Sequence, residues 1–256
     1  MPIRLTSHVI ARLMAPIAVV LFSTSASAAE LKVIAPNAVK EAVVEIAAQF
    51  EKETRYKMQL AWTGSEAISK RVADGEIFDV VVNTTSGIDA LAKAGRLTAN
   101  SKRNFSRSAV AVAVKAGVPK PDISTIDELK LALLKAESIA ISSGASGRYL
   151  EQLFQKLGVS EAIKPKIKQP PSGAQIGDIL ARGEAELGFQ QVTELIHAKG
   201  FQYVGTLPAE VQNYTVWSAA VHTATTQPDA AMAFVAAMTG PKAASAINTS
   251  GMEPAQ

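Results

Sequence analysis

The chain has 256 residues, 48% of them apolar, with no cysteine and with 26 Lys and Arg against 23 Asp and Glu. Without cysteine there are no disulfides, thiolate metal sites, cysteine nucleophiles or lipid-modified N-terminal Cys, so an apolar core in one large or two modest domains must hold the chain together. Arg4 and Arg12 carry much of the small positive excess, and aromatics are scarce at 5% with no Lys/Arg cluster among them. Composition therefore excludes a nucleic-acid partner.

Residues 1–28 read as a secretory leader. Arg4 and Arg12 are its charged residues, Leu13 to Phe22 is its apolar stretch, and Ala26-Ser27-Ala28 is a small-residue cleavage site that would start the mature chain at Ala29. The apolar stretch is too short to span a bilayer, and nothing downstream approaches the roughly 18 apolar residues a spanning helix needs. The expectation is an exported periplasmic protein, not membrane-anchored and monomeric.

The rest alternates short apolar strands with amphipathic helices, an α/β pattern. Leu31 to Ile34 predicts a strand, and Val39, Ala42, Val43, Ile46, Ala47 and Phe50 follow at helical spacing with Asn37 placed as a cap. Ser65 to Val72 and Ser86 to Ala94 predict shorter helices flanking a strand at Phe78 to Val82, with Gly75 and Gly95 as helix stops. Ser108 to Val114 is an unbroken Ala/Val strand, and a helix carrying Leu129, Leu133 and Leu134 begins near Glu128.

The apolar run Ser138 to Ile141 then leads through Ser142-Ser143-Gly144-Ala145-Ser146-Gly147-Arg148 into a helix marked by Leu150, Leu153, Phe154 and Leu157 and closed by Gly158. A Ser/Gly loop at a helix N-terminus offers free N–H groups and the positive end of the dipole to an oxyanion. Its spacing is neither the dinucleotide fingerprint nor a nucleotide P-loop, so a small anion with several oxygens is favoured. The plainer alternative is a helix start capped by Ser146. A helix ending at Arg182-Gly183-Glu184, a strand at Glu186 to Phe189 and a further helix repeat the Ile68 to Leu91 arrangement, as Ser138 to Gly158 repeats Leu31 to Lys52. Two similar halves predict two lobes. Ser108 to Val114 and Tyr214 to Val221 are the crossings, and helices at Ala230 to Met238 and Lys242 to Asn248 return to the first lobe. The expected division is 29–108 with 222–256 for lobe one, and 109–221, hinge strands included, for lobe two.

With these elements in place the chain resembles the type II periplasmic solute-binding proteins, in particular the molybdate-binding group. The residues that carry the resemblance are Glu30-Leu31-Lys32-Val33 with Ala35-Pro36-Asn37, Gly64-Ser65, Asp74-Gly75-Glu76 with Phe78-Asp79-Val80-Val81, Ala145-Ser146-Gly147, and Gln212-Asn213-Tyr214-Thr215. The resemblance spans residues 30 to 255. It implies two α/β lobes joined by hinge strands, a ligand held between helix N-termini, and delivery to an ABC transporter permease. Molybdate binders of this group use Ser hydroxyls of the first two loops and a Tyr after the late strand. Here Asn37 stands in the first loop and Gln190-Gln191 at the late strand, so an organic di- or tricarboxylate is favoured and a molybdate- or tungstate-type oxyanion stays as a further alternative. Aconitate isomerase, which moves a double bond in a tricarboxylate, is similar to the same group, so a catalytic cleft is the alternative.

The candidate ligand contacts are Asn37, Gly64, Ser65, Thr84, Ser146, Gly147, Arg148, Gln190 and Gln191. Arg148, in the first turn beside the anion loop, is suited to a bidentate hold on a carboxylate. Thr63, Thr84, Thr85 and Tyr214 also have ordinary turn, cap or packing roles. His197 and His222 sit in no pattern of catalytic spacing, no His-x-x-x-His or carboxylate cluster marks a metal site, and no Gly-x-Ser-x-Gly elbow presents a nucleophile. The reading assigns no catalytic residue and expects no cofactor.

Overall fold

The computed structural model describes residues 29–197 and 199–255, so the leader and its cleavage point lie outside the described residues. In chain order the elements begin with β1 (Glu30–Pro36), α1 (Lys40–Glu53), β2 (Lys57–Thr63), α2 (Ser65–Ala73), β3 (Val80–Thr84), α3 (Thr85–Lys93) and the long β4 (Arg103–Lys115). There follow α4 (Ile126–Lys135), β5 (Ile139–Ile141), α5 (Ala145–Lys156), α6 (Ser160–Ile163), β6 (Ile167–Lys168), α7 (Ile176–Ala181), β7 (Leu187–Gln191), α8 (Val192–Leu195) and β8 (Phe201–Thr206). The chain then returns through β9 (Tyr214–Val221), α9 (Pro228–Ala237), α10 (Pro241–Thr249) and β10 (Glu253–Pro254).

The strand order β2-β1-β3-β9-β4-β7-β5-β6 is a palindrome of two lobes. In the first, β2, β1 and β3 run parallel and β9 lies antiparallel to β3; in the second, β6, β5 and β7 run parallel and β4 lies antiparallel to β7. The crossing strands join the halves, because β4 pairs with β9 from Arg103 to Ala109 and with β7 from Val110 to Val114. The repeat read from the sequence thus corresponds to two equivalent β-α units.

Each central strand is buried on both faces, as parallel strands covered by helices must be. In β1, Leu31 and Val33 meet Val43, Ala47 and Phe50 of α1, whereas Ile34 faces Ile68 and Val72 of α2. Helices α9 and α10 close the α1 side through Phe234, Val235 and Ile247, and the Phe50 and Phe234 rings meet edge to face at 5.3 Å. Each such buried side chain contributes about 1.5–3 kcal/mol. The second lobe has its own core around Leu129, Leu133, Leu150, Phe154 and Phe189.

Four strands are absent from the sequence reading: β2, β8 and the two-residue β6 and β10. In the edge strand β2, Met58, Leu60 and Trp62 turn partly inward on the α1 side and Ala61 on the α2 side, and no residue is fully buried, so no long apolar run marks it. β8 lies alongside β4 with a register shift at Val112/Ala113 and is half-buried except at Thr206. The predicted Phe78 to Val82 strand is displaced to Val80–Thr84. The Asp79 carboxylate accepts from Lys32 N–H at 2.7 Å and from the Thr225 hydroxyl at 2.5 Å, a side-chain pairing just before the ladder begins.

Two expected caps also differ. Asn37 lies in a short 3-10 turn, and its amide donates across to the Gly173 carbonyl at 3.0 Å instead of capping α1. Helix α5 has Gly144 as its N-cap, and the Ser146 hydroxyl bonds to that of Ser142 at 3.0 Å.

Candidate functional site

The parallel strands of both lobes send their carboxyl ends into one cleft, where α/β sheets hold ligands. The turn after β1 brings Pro36, Asn37 and Ala38; the start of α2 brings Gly64 and Ser65; the β5–α5 loop brings Ser142 to Ser146. Pro171 to Ala174 precede α7, Gln190, Gln191 and Glu194 come from β7 and α8, and Trp217 comes from β9. Together they line a cavity of about 50 Å³. The N-termini of α2 and α5 reach it from opposite lobes, so free N–H groups and two positive dipole ends face the same space.

The lobes are in contact around this cavity. Besides the Asn37–Gly173 bond, the Thr193 hydroxyl donates to the Ala38 carbonyl at 2.7 Å, and the Arg148 guanidinium pairs with Glu66. Gly64 meets Ser172 and Gly173 closely enough that a Cβ on Gly64 would stand 2.0 Å from Ser172 Oγ and 2.6 Å from Gly173 N. This is a closed arrangement.

The lining is rich in neutral donors. Ser65 and Ser146 are buried, and Ser142, Ser143 and Ser172 add hydroxyls. Among the described residues no Lys or Arg lines it, so an anion entering here would be neutralised by hydrogen bonds and dipoles. Two donors of the lining have no partner among the described residues: the Trp217 indole N–H and the Ser143 hydroxyl.

Among the described residues, Glu194 is the one ionisable side chain in the lining. Protein surrounds its carboxyl, although part of the residue's surface opens on the cavity, and burial pushes its pKa up to about 7. Hydrogen bonds from Gln175, the Gln191 backbone and Gln190 hold it from rising further. The Gln190 amide donates to Glu194 Oε1 at 2.9 Å while its oxygen accepts from Ile176 N–H at 2.8 Å, tying the carboxyl to the start of α7. A carboxyl divided between its two protonation states near neutrality can both take and return a proton.

The sequence candidates divide into three groups. Asn37, Gly64, Ser65, Ser146, Gln190 and Gln191 line the cavity. Gln191 also braces the crossing: in the amide orientation that satisfies both ends, its nitrogen donates to Ser108 and Ala109 and its oxygen accepts from Thr215. Gly147 is not in the lining; a Cβ there would lie 1.6 Å from the Ser142 carbonyl oxygen, so glycine lets α5 pack on the loop before it. Thr84 and Arg148 border an adjacent depression with Asn213 and Tyr214. Thr84 caps α3 by accepting from Gly87 N–H at 3.1 Å, and Arg148 is occupied by Glu66. Of the histidines, His222 is buried, with its pKa lowered chiefly by that burial, and half-exposed His197 lies 3.2 Å from Glu41; neither lines the cavity.

Because the Arg148–Glu66 pair is substantially solvated, Arg148→Ala is expected to weaken ligand binding by less than about 1 kcal/mol. Calorimetry checks this, and a loss of about 2 kcal/mol or more would mean that the guanidinium leaves Glu66 for the ligand.

Residues 31–253 match the family described as bacterial extracellular solute-binding protein. The chain belongs to this family. An aconitate isomerase from Pseudomonas sp is 36% identical over 247 residues, which cover 93% of this chain and 94% of that protein. The molybdate-binding protein ModA of Azotobacter vinelandii is 28% identical, covering 96% of this chain and 98% of that protein. The solved periplasmic molybdate-binding protein of Azotobacter vinelandii has a TM-score of 0.73 to this solute-binding protein over 88% of this chain and 100% of that chain, at 23% identity. That likeness establishes the two-lobed α/β architecture.

Proposed function

We propose that this solute-binding protein is an isomerase that encloses a small tricarboxylate between its lobes and shifts the carbon–carbon double bond, interconverting cis- and trans-aconitate. The observation that carries the reading is Glu194, a carboxyl with a pKa of about 7 that is, among the described residues, the one ionisable group in a cavity of neutral donors. A carboxylate opposes anion binding electrostatically, so its presence calls for a chemical role. The 36%-identical aconitate isomerase supports the same choice.

In the proposed reaction the Glu194 carboxylate removes a proton from the methylene carbon beside a substrate carboxylate. The electron pair becomes delocalised over the neighbouring double bond, and the proton returns to the far carbon as the bond reforms one position along. Charge develops on substrate oxygens, where the cavity hydroxyls and helix N–H groups stabilise it. Closure of the lobes excludes water and strengthens those interactions. Cleavage after Ala28 would release the mature enzyme into the periplasm.

A second reading is favoured by the predominantly neutral donor lining: the protein captures an organic anion and passes it to an ABC importer. In that case Glu194 serves in protonated form as a further donor, and affinity falls as pH rises through about 7. Incubating the purified protein with trans-aconitate in D₂O and following the cis isomer by NMR separates the two. The isomerase reading expects many turnovers to an equilibrium mixture, with kcat rising through a pH of about 7. A stoichiometric complex without conversion would leave only the transport role.

A further inference from the structure

We infer that the Trp217 indole N–H and the Ser143 hydroxyl are ligand donors set on opposite lobes, so that a bound polycarboxylate accepts from both and bridges the cleft. The inference rests on the polycarboxylate reading of the cavity and names how that class is gripped. Trp217 is 2% exposed, and its ring packs in the first lobe's core with Phe105 and Phe234. Its N–H, in a residue lining the cavity, has no acceptor among the described residues. Buried indole N–H groups ordinarily have a partner, and an orphan costs its full desolvation.

The second orphan has a different origin. The neighbouring hydroxyls of Ser142 and Ser146 satisfy each other, but Ser143 Oγ is buried in the same loop without a partner. Ser143 belongs to the second lobe, just before α5, whereas Trp217 stands on β9 opposite Thr84 of β3 in the first. A carboxylate oxygen is a charged acceptor that can answer each of these donors well. A di- or tricarboxylate can answer both, and closure then draws its two ends toward the two lobes.

The test is calorimetric titration of wild type, Trp217→Phe and Ser143→Ala with tricarballylate, the saturated and unreactive tricarboxylate, and with acetate, molybdate and sulfate. Phenylalanine keeps most of the ring packing and removes only the donor, while Ser143→Ala changes a loop hydroxyl and leaves both cores untouched. The expected result is that each variant binds tricarballylate about tenfold or more weakly, as for a lost hydrogen bond to a charged group. Ligand-induced quenching of tryptophan fluorescence should persist in Trp62→Phe and disappear in Trp217→Phe. Tight wild-type binding of tricarballylate with Ser143→Ala unchanged would overturn the bridging inference and leave the isomerase reading standing. Binding of acetate as tight as that of tricarballylate would also overturn it. Binding of molybdate or sulfate with no binding of tricarballylate would overturn the inference and the reading together.

Discussion

Glu194→Gln is expected to lower kcat for trans-aconitate by roughly 10²–10⁴-fold, the range for loss of a positioned general base, while making the protein more stable at pH 8. Both effects have one cause. The folded protein surrounds the Glu194 carboxyl and disfavours its charged form, which raises its pKa from 4.5 to about 7. Between those values the folded state keeps a proton that the unfolded chain has released, so stability falls as pH rises through that window. The glutamate's contribution is fully present below pH 4.5 and is lost above about 7. Glutamine has no proton to lose. At pH 8 the variant should therefore gain roughly 3 kcal/mol over the wild type, and below pH 4.5 the two should be alike. Urea unfolding at both pH values gives the stability difference, and NMR of trans-aconitate gives the rate. Loss of activity together with a gain in stability is the mark of a group retained for chemistry. A variant with undiminished turnover would remove Glu194 from the reaction.

The architecture was largely legible because its signals are local. Helical spacing in Val39 to Phe50, the glycine stops at Gly75 and Gly95, and the repeated strand-loop-helix pattern depend on nearby residues. Both glycines have positive φ, 103° and 74°, which glycine adopts without strain. What was not legible depends on burial and on contacts made across the cleft. Nothing around Glu194 in the sequence distinguishes it from a solvated helix residue; its pKa is raised by burial where α8 lies against β7, and the Gln190 bridge to α7 limits that rise. Trp217 lies in a strand identified as a crossing, and only the assembled lobe reveals an N–H without an acceptor. Ser172 and Gly173 follow Pro170-Pro171, a turn signal that marks a loop without saying which lobe it will meet. Arg148 illustrates the converse. Its position beside the anion loop was plain, but the competing partner, Glu66, is 82 residues earlier in the chain and arrives only on closure.

Gly64→Ala is expected to weaken ligand binding roughly 10- to 100-fold while leaving the unliganded fold nearly as stable as the wild type. The added methyl would stand 2.0 Å from Ser172 Oγ, which can rotate away, and 2.6 Å from the backbone nitrogen of Gly173, which cannot. Gly173 is held by its own positive φ of 89° and by the bond from Asn37 to its carbonyl, so the clash falls on the approach of the two lobes. Because the contact crosses the cleft, the protein can relieve it by remaining open. The cost then appears in the closed population, and apparent affinity falls by the same factor. Gly147→Ala provides the contrast. Its methyl would meet the Ser142 carbonyl oxygen at 1.6 Å within one lobe, where no hinge can open, so that variant should lose fold stability outright. Calorimetry with tricarballylate and thermal unfolding without ligand, applied to both variants, check the distinction: Gly64→Ala should lose affinity with little change in unfolding temperature, and Gly147→Ala should unfold at a lower temperature. Unchanged affinity in Gly64→Ala would mean that ligand binding does not require the closed contact between Gly64 and the Ser172-Gly173 turn.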